Sequence, residues 1–327
     1  SFAEILKTRL HEIDEGYFPD YSEWDRDFVV SQLAWTLKNS DHFEEAVLLC
    51  EREAEETGRY VRLVEMLLES GQKEKAEEWI YRGIKKTQEE KPGIAKQLRQ
   101  NLLEIKEKDG DLLFAAALLA EEFFMAPELS SYFNMREAAE KAGVWQKIKE
   151  KALKYLEKGE MPAAQAKNID ENSILPGILP VTGLLKPDSF REVKPPVLSL
   201  LIKIAIEEKD PDEVIRWYGE LKKGGEAAKH YAYYIDENKI ANVVHEKYPD
   251  IALEIWKKIA EELISKTKVD AYREAAGHLR KIKETMEARG QKREWEIYLR
   301  GIREENKRKI RFIEILDTLE KDRIIEG

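Results

Sequence analysis

With 327 residues and a formal net charge of -10, the chain is long enough for two compact domains or one extended repeat array. Apolar residues make up 43% and charged residues 37%, beside only 17 Gly and 11 Pro, which predicts a nearly all-α protein of amphipathic helices. A single cysteine, Cys50, excludes a disulfide framework or a zinc site built on several thiolates, and suits a reducing, cytoplasmic setting.

The opening stretch "SFAEILKTRLHEIDEG" reads as a charged amphipathic helix without the apolar core and cleavage site of a signal peptide. No apolar run approaches the roughly 20 residues that span a bilayer, so no membrane association is expected. In "NSDHFEEA", Asp41 is expected to cap a helix, with Glu44 completing an imperfect capping box. Cys50 follows in "AVLLCERE", on an apolar face beside Val47 and Leu48. A catalytic thiol needs an accessible, electropositive setting and a nearby base; a buried structural thiol fits these surroundings better.

Residues 60–86, "YVRLVEMLLESGQKEKAEEWIYRGIKK", carry Val61, Val64, Leu67 and Leu68 at helical spacing, stop at Gly71, and resume with Ala76, Trp79, Ile80 and Ile84. Glycine, with no Cβ to clash, suits the left-handed residue at a helix end. Two helices joined by so short a turn pack antiparallel. The acid pairs Glu44/Glu45, Glu55/Glu56 and Glu77/Glu78 resemble acid–base dyads only superficially. Catalytic pairs need burial to separate their pKa values, whereas these are expected on solvated faces beside Lys and Arg at i±4.

The pattern breaks over 159–196, where six of the prolines fall. Each removes an amide donor and fixes φ, so the segment cannot be one helix. Its "ILPGILPVTGLL" is too apolar for a solvated linker and is expected to lie on a helical surface. The expected division is an N-terminal hairpin array (1–158), a Pro-rich connector (159–196) and a C-terminal hairpin array (197–327).

In the C-terminal part Trp217, Trp256 and Trp295 recur 39 residues apart, within the range of tetratricopeptide-like helix pairs. Gly224-Gly225 reads as a helix stop, since no strand precedes it. Tyr231, Tyr233 and Tyr234 in "HYAYYIDEN" could stack on unpaired bases, but the acids that follow favour packing at a helix junction. Over 270–309 the hairpin plan returns, with Tyr272, Ala275, Ala276, Leu279, Ile282 and Met286 on one face and "GQK" again at the turn. The five histidines, His11, His42, His230, His245 and His278, show no metal-ligand spacing and are expected at the surface or at caps. No P-loop, GxGxxG or GxSxG is present, and neither a cofactor nor a metal is expected.

"YPDIALEIWKKIAEELI" (248–264), "AYREAAGHLRKIKETMEARG" (271–290) and "EWEIYLRGIREENKRKIRFIEILD" (294–317) together resemble the C-terminal helical region of bacterial and archaeal SWIM zinc finger family proteins. The likeness covers about 230–320 and, more loosely, 40–90. The finger's Cys-x-Cys and Cys-x-His ligands have no counterpart here, so no zinc-binding residue carries over. The resemblance implies a helical region that accompanies a DNA-associated module, with a helicase-like protein as partner.

Between Lys266 and Arg311 there are 15 Lys and Arg against 8 Asp and Glu, in an otherwise acidic chain. On one helix running through 294–317, Arg300, Arg303, Lys307 and Arg311 would form a basic stripe beside a buried stripe of Trp295, Leu299, Ile302, Ile310 and Ile313. The basic residues either pair with acids on neighbouring hairpins or contact phosphates. The acidic remainder of the chain favours pairing. The sequence therefore predicts an all-α, tetratricopeptide-like superhelical array of α-α hairpins. Its expected function is that of a non-enzymatic scaffold or adaptor for a protein partner linked to DNA-processing machinery. The alternative is an accessory nucleic-acid-binding region using the basic C-terminal helices.

Overall fold

The computed structural model describes residues 2–17, 22–161, 174–175, 177–184, 193–224 and 235–321. Sixteen α-helices and no strand occur among them. The chain divides into two compact units, one of residues 1–151 and 161–191 and one of residues 152–160 and 192–327. The division differs in detail from the sequence reading. The apolar half of the Pro-rich stretch belongs to the first unit, and the boundary falls inside a helix.

The first unit holds α1 (Phe2–Asp14), α2 (Glu23–Lys38), α3 (Phe43–Thr57), α4 (Tyr60–Glu69), α5 (Lys73–Thr87), α6 (Pro92–Lys108), α7 (Leu112–Met125), α8 (Leu129–Lys141) and the start of α9 (Trp145–Lys158). Among the described residues, substantial helix contacts join only neighbours in sequence, or neighbours but one as for α4 and α6. Val64, Leu67, Ala76, Ile80 and Ile84 are buried in one continuous core with Cys50, as the helical spacing predicts. Val61, Leu68 and Trp79 are half-buried against it, and Leu63, outside the predicted set, joins it. Within it Gly83 sits so close to α4 and α6 that an added Cβ would meet Leu98 Cδ1 at 2.6 Å and the Tyr60 ring at 2.8 Å.

The second unit holds the end of α9, α10 (Leu198–Glu207), α11 (Pro211–Lys223), α12 (Glu237–Val244), α13 (Pro249–Ser265), α14 (Val269–Ala288), α15 (Lys292–Glu305) and α16 (Ile310–Lys321). Here too packing is serial, with α16 folding back onto α14. Trp217, Trp256 and Trp295 are all buried, as are Tyr272, Ala275, Ala276, Leu279, Ile282 and Met286. Gly224 caps α11, whereas Gly225, His230 and the three tyrosines at 231, 233 and 234 lie outside the described residues.

Six helix pairs share one connection: three residues, the middle one left-handed, at Gly71, Gly110, Gly143, Lys209, Thr267 and Gly290. In the five other than the Thr267 turn, the residue after the left-handed one donates its N–H to the carbonyl five residues back at 2.8–3.0 Å, closing the end of the helix. Lys209 and Thr267 adopt this conformation with a side chain, each at φ 55°. The turn before α3 departs from expectation. Asp41 takes the left-handed position and His42 is the N-cap, with no side-chain cap bond.

The largest difference is at the C-terminal end. Instead of one helix over 294–317, α15 stops at Glu305 and α16 starts at Ile310. Asn306 ends α15 by donating from both its N–H and its side-chain amide to Ile302 O, and Lys309 N–H closes the turn on Asn306 O at 2.8 Å. The break lets Phe312 and Leu316 reach the core, Phe312 against the Tyr272 ring at 5.3 Å, while Ile310 is left 70% exposed.

Two substitutions test this packing. Gly83→Ala is expected to destabilise the chain by about 1–3 kcal/mol, because the methyl overfills a closed contact. Lys209→Gly is expected to raise stability by up to about 1 kcal/mol by relieving a left-handed L-residue. Urea unfolding midpoints measure both, and a destabilising Lys209→Gly would contradict the turn geometry.

Candidate functional site: a groove between α6, α7 and α8

Helix α7, "LLFAAALLAEEFFM", is apolar around most of its circumference, so it must be covered on several sides. Asp111 starts it by accepting from Phe114 N–H at 3.3 Å. Consecutive alanines at 115–117 keep its surface low, so neighbouring helices approach closely. The apolar half of the Pro-rich stretch supplies another side. Ile174, Leu175, Leu179 and Leu184 are buried, with Leu184 in the same core as Ala115 and Leu118.

A polar latch fixes this strap. Glu121, 1% exposed, accepts from Arg99 Nη1 at 3.1 Å and from the Thr182 hydroxyl, and Arg99 Nη2 reaches Leu184 O at 3.4 Å. Burial pushes the Glu121 carboxyl above its usual range, against the opposing pull of Thr182 and Arg99. The sequence reading missed all three residues. The available signal was a carboxylate inside an apolar run, which demands a buried partner.

Where α6 diverges from the α7/α8 hairpin, a groove of about 1140 Å³ opens. Lys96, Gln97 and Gln100 of α6 form one wall, and Asn134, Glu137 and Lys141 of α8 the other. The floor is apolar, with Leu103, Leu118 and Ala138 buried beneath it. At one end the Gln88 side-chain amide nitrogen is buried without a hydrogen-bond partner. Glu137 and Lys141 pair at 2.8 Å on the surface, which lowers the pKa of one and raises that of the other; such an i,i+4 pair is not an acid–base dyad.

No family model, curated protein or solved structure matches this chain. Its chemistry therefore rests on its own residues. Cys50 is enclosed, and burial pushes its thiol up to about 11. No group of three or more His, Cys, Asp or Glu among the described residues is placed to hold a metal ion. His42 and His245 sit at helix ends, whereas His278, expected at the surface or at a cap, is buried in α14 with its Nδ1 unpartnered. No helix among the described residues is long and apolar enough to cross a membrane.

The acid pairs do not pair within their own helices as the sequence reading expects. Glu45 meets Lys7 at 2.6 Å, Glu55 meets Arg82 at 2.6 Å and Glu77 meets Lys106 at 2.7 Å, each across two helices. The basic quartet is divided by the break. Arg300 and Arg303 are on α15, Lys307 is in the turn and Arg311 on α16, so no single stripe forms. Arg303 joins α15 to α16 through Asp317 at 2.7 Å, while Lys307 and Arg311 pair with Glu304 and Glu314 three residues away. Arg300 is exposed and makes no ion pair among the described residues.

Arg303→Gln is expected to cost up to about 1 kcal/mol, because it unties two helices. Lys307→Gln and Arg311→Gln are each expected to cost under about 0.5 kcal/mol, as exposed local pairs do. Equal losses at all three positions in urea unfolding would contradict this ranking.

Glu121 also sets a pH dependence with a definite sign. Its native carboxyl holds its proton to higher pH than the unfolded value of 4.5, so the native state binds more protons in between. Stability from this group is therefore highest below that value, falls as pH rises through the window, and is level above it. Glu121→Gln is expected to flatten this part of the profile in urea unfolding between about pH 4 and 8. A variant profile parallel to that of the wild type would refute the assignment.

Proposed function

We propose that the chain is a non-enzymatic helical-repeat scaffold whose hairpins stack in a tetratricopeptide-like superhelix and which holds a segment of a protein partner in the α6–α8 groove. The groove carries this reading. Small-molecule sites occupy roughly 300–1,000 Å³ and close over their ligand, whereas this one is larger and lies along two helices. Side-chain amides can donate to and accept from a peptide backbone; Gln97, Gln100 and Asn134 line the walls and the Gln88 amide has a donor to spare. The leucine floor would take apolar side chains of the bound segment. Serial stacking supports the scaffold reading, because such arrays present long grooves while each repeat touches only its neighbours.

The likeness of residues 230–320 to the helical region that accompanies SWIM zinc fingers makes a helicase-like component of DNA-processing machinery the partner to try first. The nucleic-acid reading of the basic quartet draws less support. Three of its members face acids, and the chain carries a formal charge of -10.

A random peptide library displayed on phage, selected on the full chain, tests the groove. Selected peptides are expected to bind the wild type and to weaken at least tenfold in Gln100→Trp and Asn134→Trp. Both variants fill the groove from exposed positions and should leave the circular dichroism unchanged. Peptides that bind the filled variants equally well, or a selection that enriches none, would sink the reading. Sub-micromolar affinity for duplex DNA at about 0.15 M salt, lost on changing the four basic residues to Gln, would put the nucleic-acid reading in its place.

A further inference from the structure

Helix α2 presents two apolar faces. Val29, Val30, Leu33, Ala34 and Leu37 face the core, while Trp24, Phe28 and Trp35 on the other side are 79%, 64% and 63% exposed. At 100° per residue these three aromatics fall within an arc of about 40°, with Ser31 about 20° beyond its edge and between Phe28 and Trp35 along the helix. Large aromatics are ordinarily buried, and three uncovered on one helix face mark an interface.

The strip has no charge of its own, and the flanking charges are committed within the same unit. Arg26 is bound to Asp14 and Glu53, Asp27 to Arg59 and Arg62, Lys38 to Glu69, and Asp25 to the Ser22 cap. The strip itself is therefore neutral, with the Asp25 carboxylate on its flank. For a chain with a net charge of -10 this is a face on which a second copy can approach without bringing like charges together.

We infer that the chain forms a two-fold symmetric dimer through antiparallel α2 helices crossing at Ser31 and Gln32. A two-fold axis between those residues sets Phe28 of one protomer against Trp35 of its partner, and Trp35 against Phe28, so one strip completes itself twice. Ser31 is small enough to let the helices approach where they cross. An aromatic side chain buries 150–250 Å², so three at these exposures supply about 400 Å² per protomer. That is about half of the ~800 Å² each partner contributes to a standard interface, and it forms the apolar centre that such interfaces need. The groove does not enter the argument, and either assignment stands without the other.

Sedimentation equilibrium of the full chain between about 1 and 100 μM tests the dimer. The wild type is expected at twice the 38.1 kDa chain mass. Trp35→Glu, at an exposed position, is expected to weaken dimerisation about 100-fold with an unchanged far-ultraviolet circular dichroism, because hot-spot aromatics dominate such interfaces. Ser31→Cys, beside the axis, is expected to give a covalent dimer on mild oxidation, whereas the wild type, whose one thiol is buried, does not. A wild type that stays at 38.1 kDa at 100 μM would overturn the inference and leave the strip to a different protein. A dimer undiminished by Trp35→Glu, or a Ser31→Cys that fails to cross-link, would overturn the α2 crossing.

Discussion

A pair of antiparallel helices buries only the faces turned toward each other, and this constraint shapes the whole chain. A left-handed residue in the three-residue connections at Gly71, Gly110, Gly143, Lys209 and Gly290 fixes the reversal. It ends one helix by closing its last carbonyls and aims the next back along it. A hairpin made this way still has apolar surface on its outer sides, so it is complete only when the next hairpin is laid against it. The serial packing of both units follows from that incompleteness.

Charge reinforces the series. Arg62 meets Asp27, Lys73 meets Asp109, Lys247 meets Asp212 and Arg289 meets Asp250, at separations of 35 to 39 residues. That is about one hairpin's length, so a cation on one repeat is answered by an acid on an adjacent one. Each pair contributes little alone, but an offset hairpin would leave the charge on both sides unanswered. Near the C-terminus Arg289 is spent in this way. The high charge content of the chain thus serves register between repeats as well as solvation.

The hairpins were legible in the sequence wherever a helical apolar period met a glycine, as at 60–86 and 270–309. There local pattern and tertiary packing ask for the same residues. The end of the chain was not legible because two faces of 310–316 are equally apolar by spacing. Tyr272, forty residues earlier in the chain, decides that Phe312 rather than Ile310 is buried. Asp41 looked like a cap because its side chain can accept an N–H, but the turn needed a left-handed residue there, which Asp tolerates. The groove left no motif at all, since it is the space between helices whose outward residues look like any solvated face. The apolar "ILPGILPVTGLL" announced that the strap lies on a helical surface, as Leu179 and Leu184 do. Glu121 hinted at a buried partner that only the structure identifies as Arg99 and Thr182.

The strap has a consequence for how the chain is made. Almost every other contact forms between stretches close in sequence, so each hairpin can pack soon after it leaves the ribosome. Helix α7 cannot finish this way, because Thr182 follows Glu121 by 61 residues and Leu184 follows Arg99 by 85. At ordinary synthesis rates the 61-residue delay lasts about 3 to 12 s, during which the most apolar helix of the first unit lacks part of its cover. Nascent chains halted before residue 184 therefore carry an open hydrophobic face, and that interval is where a chaperone would engage this protein.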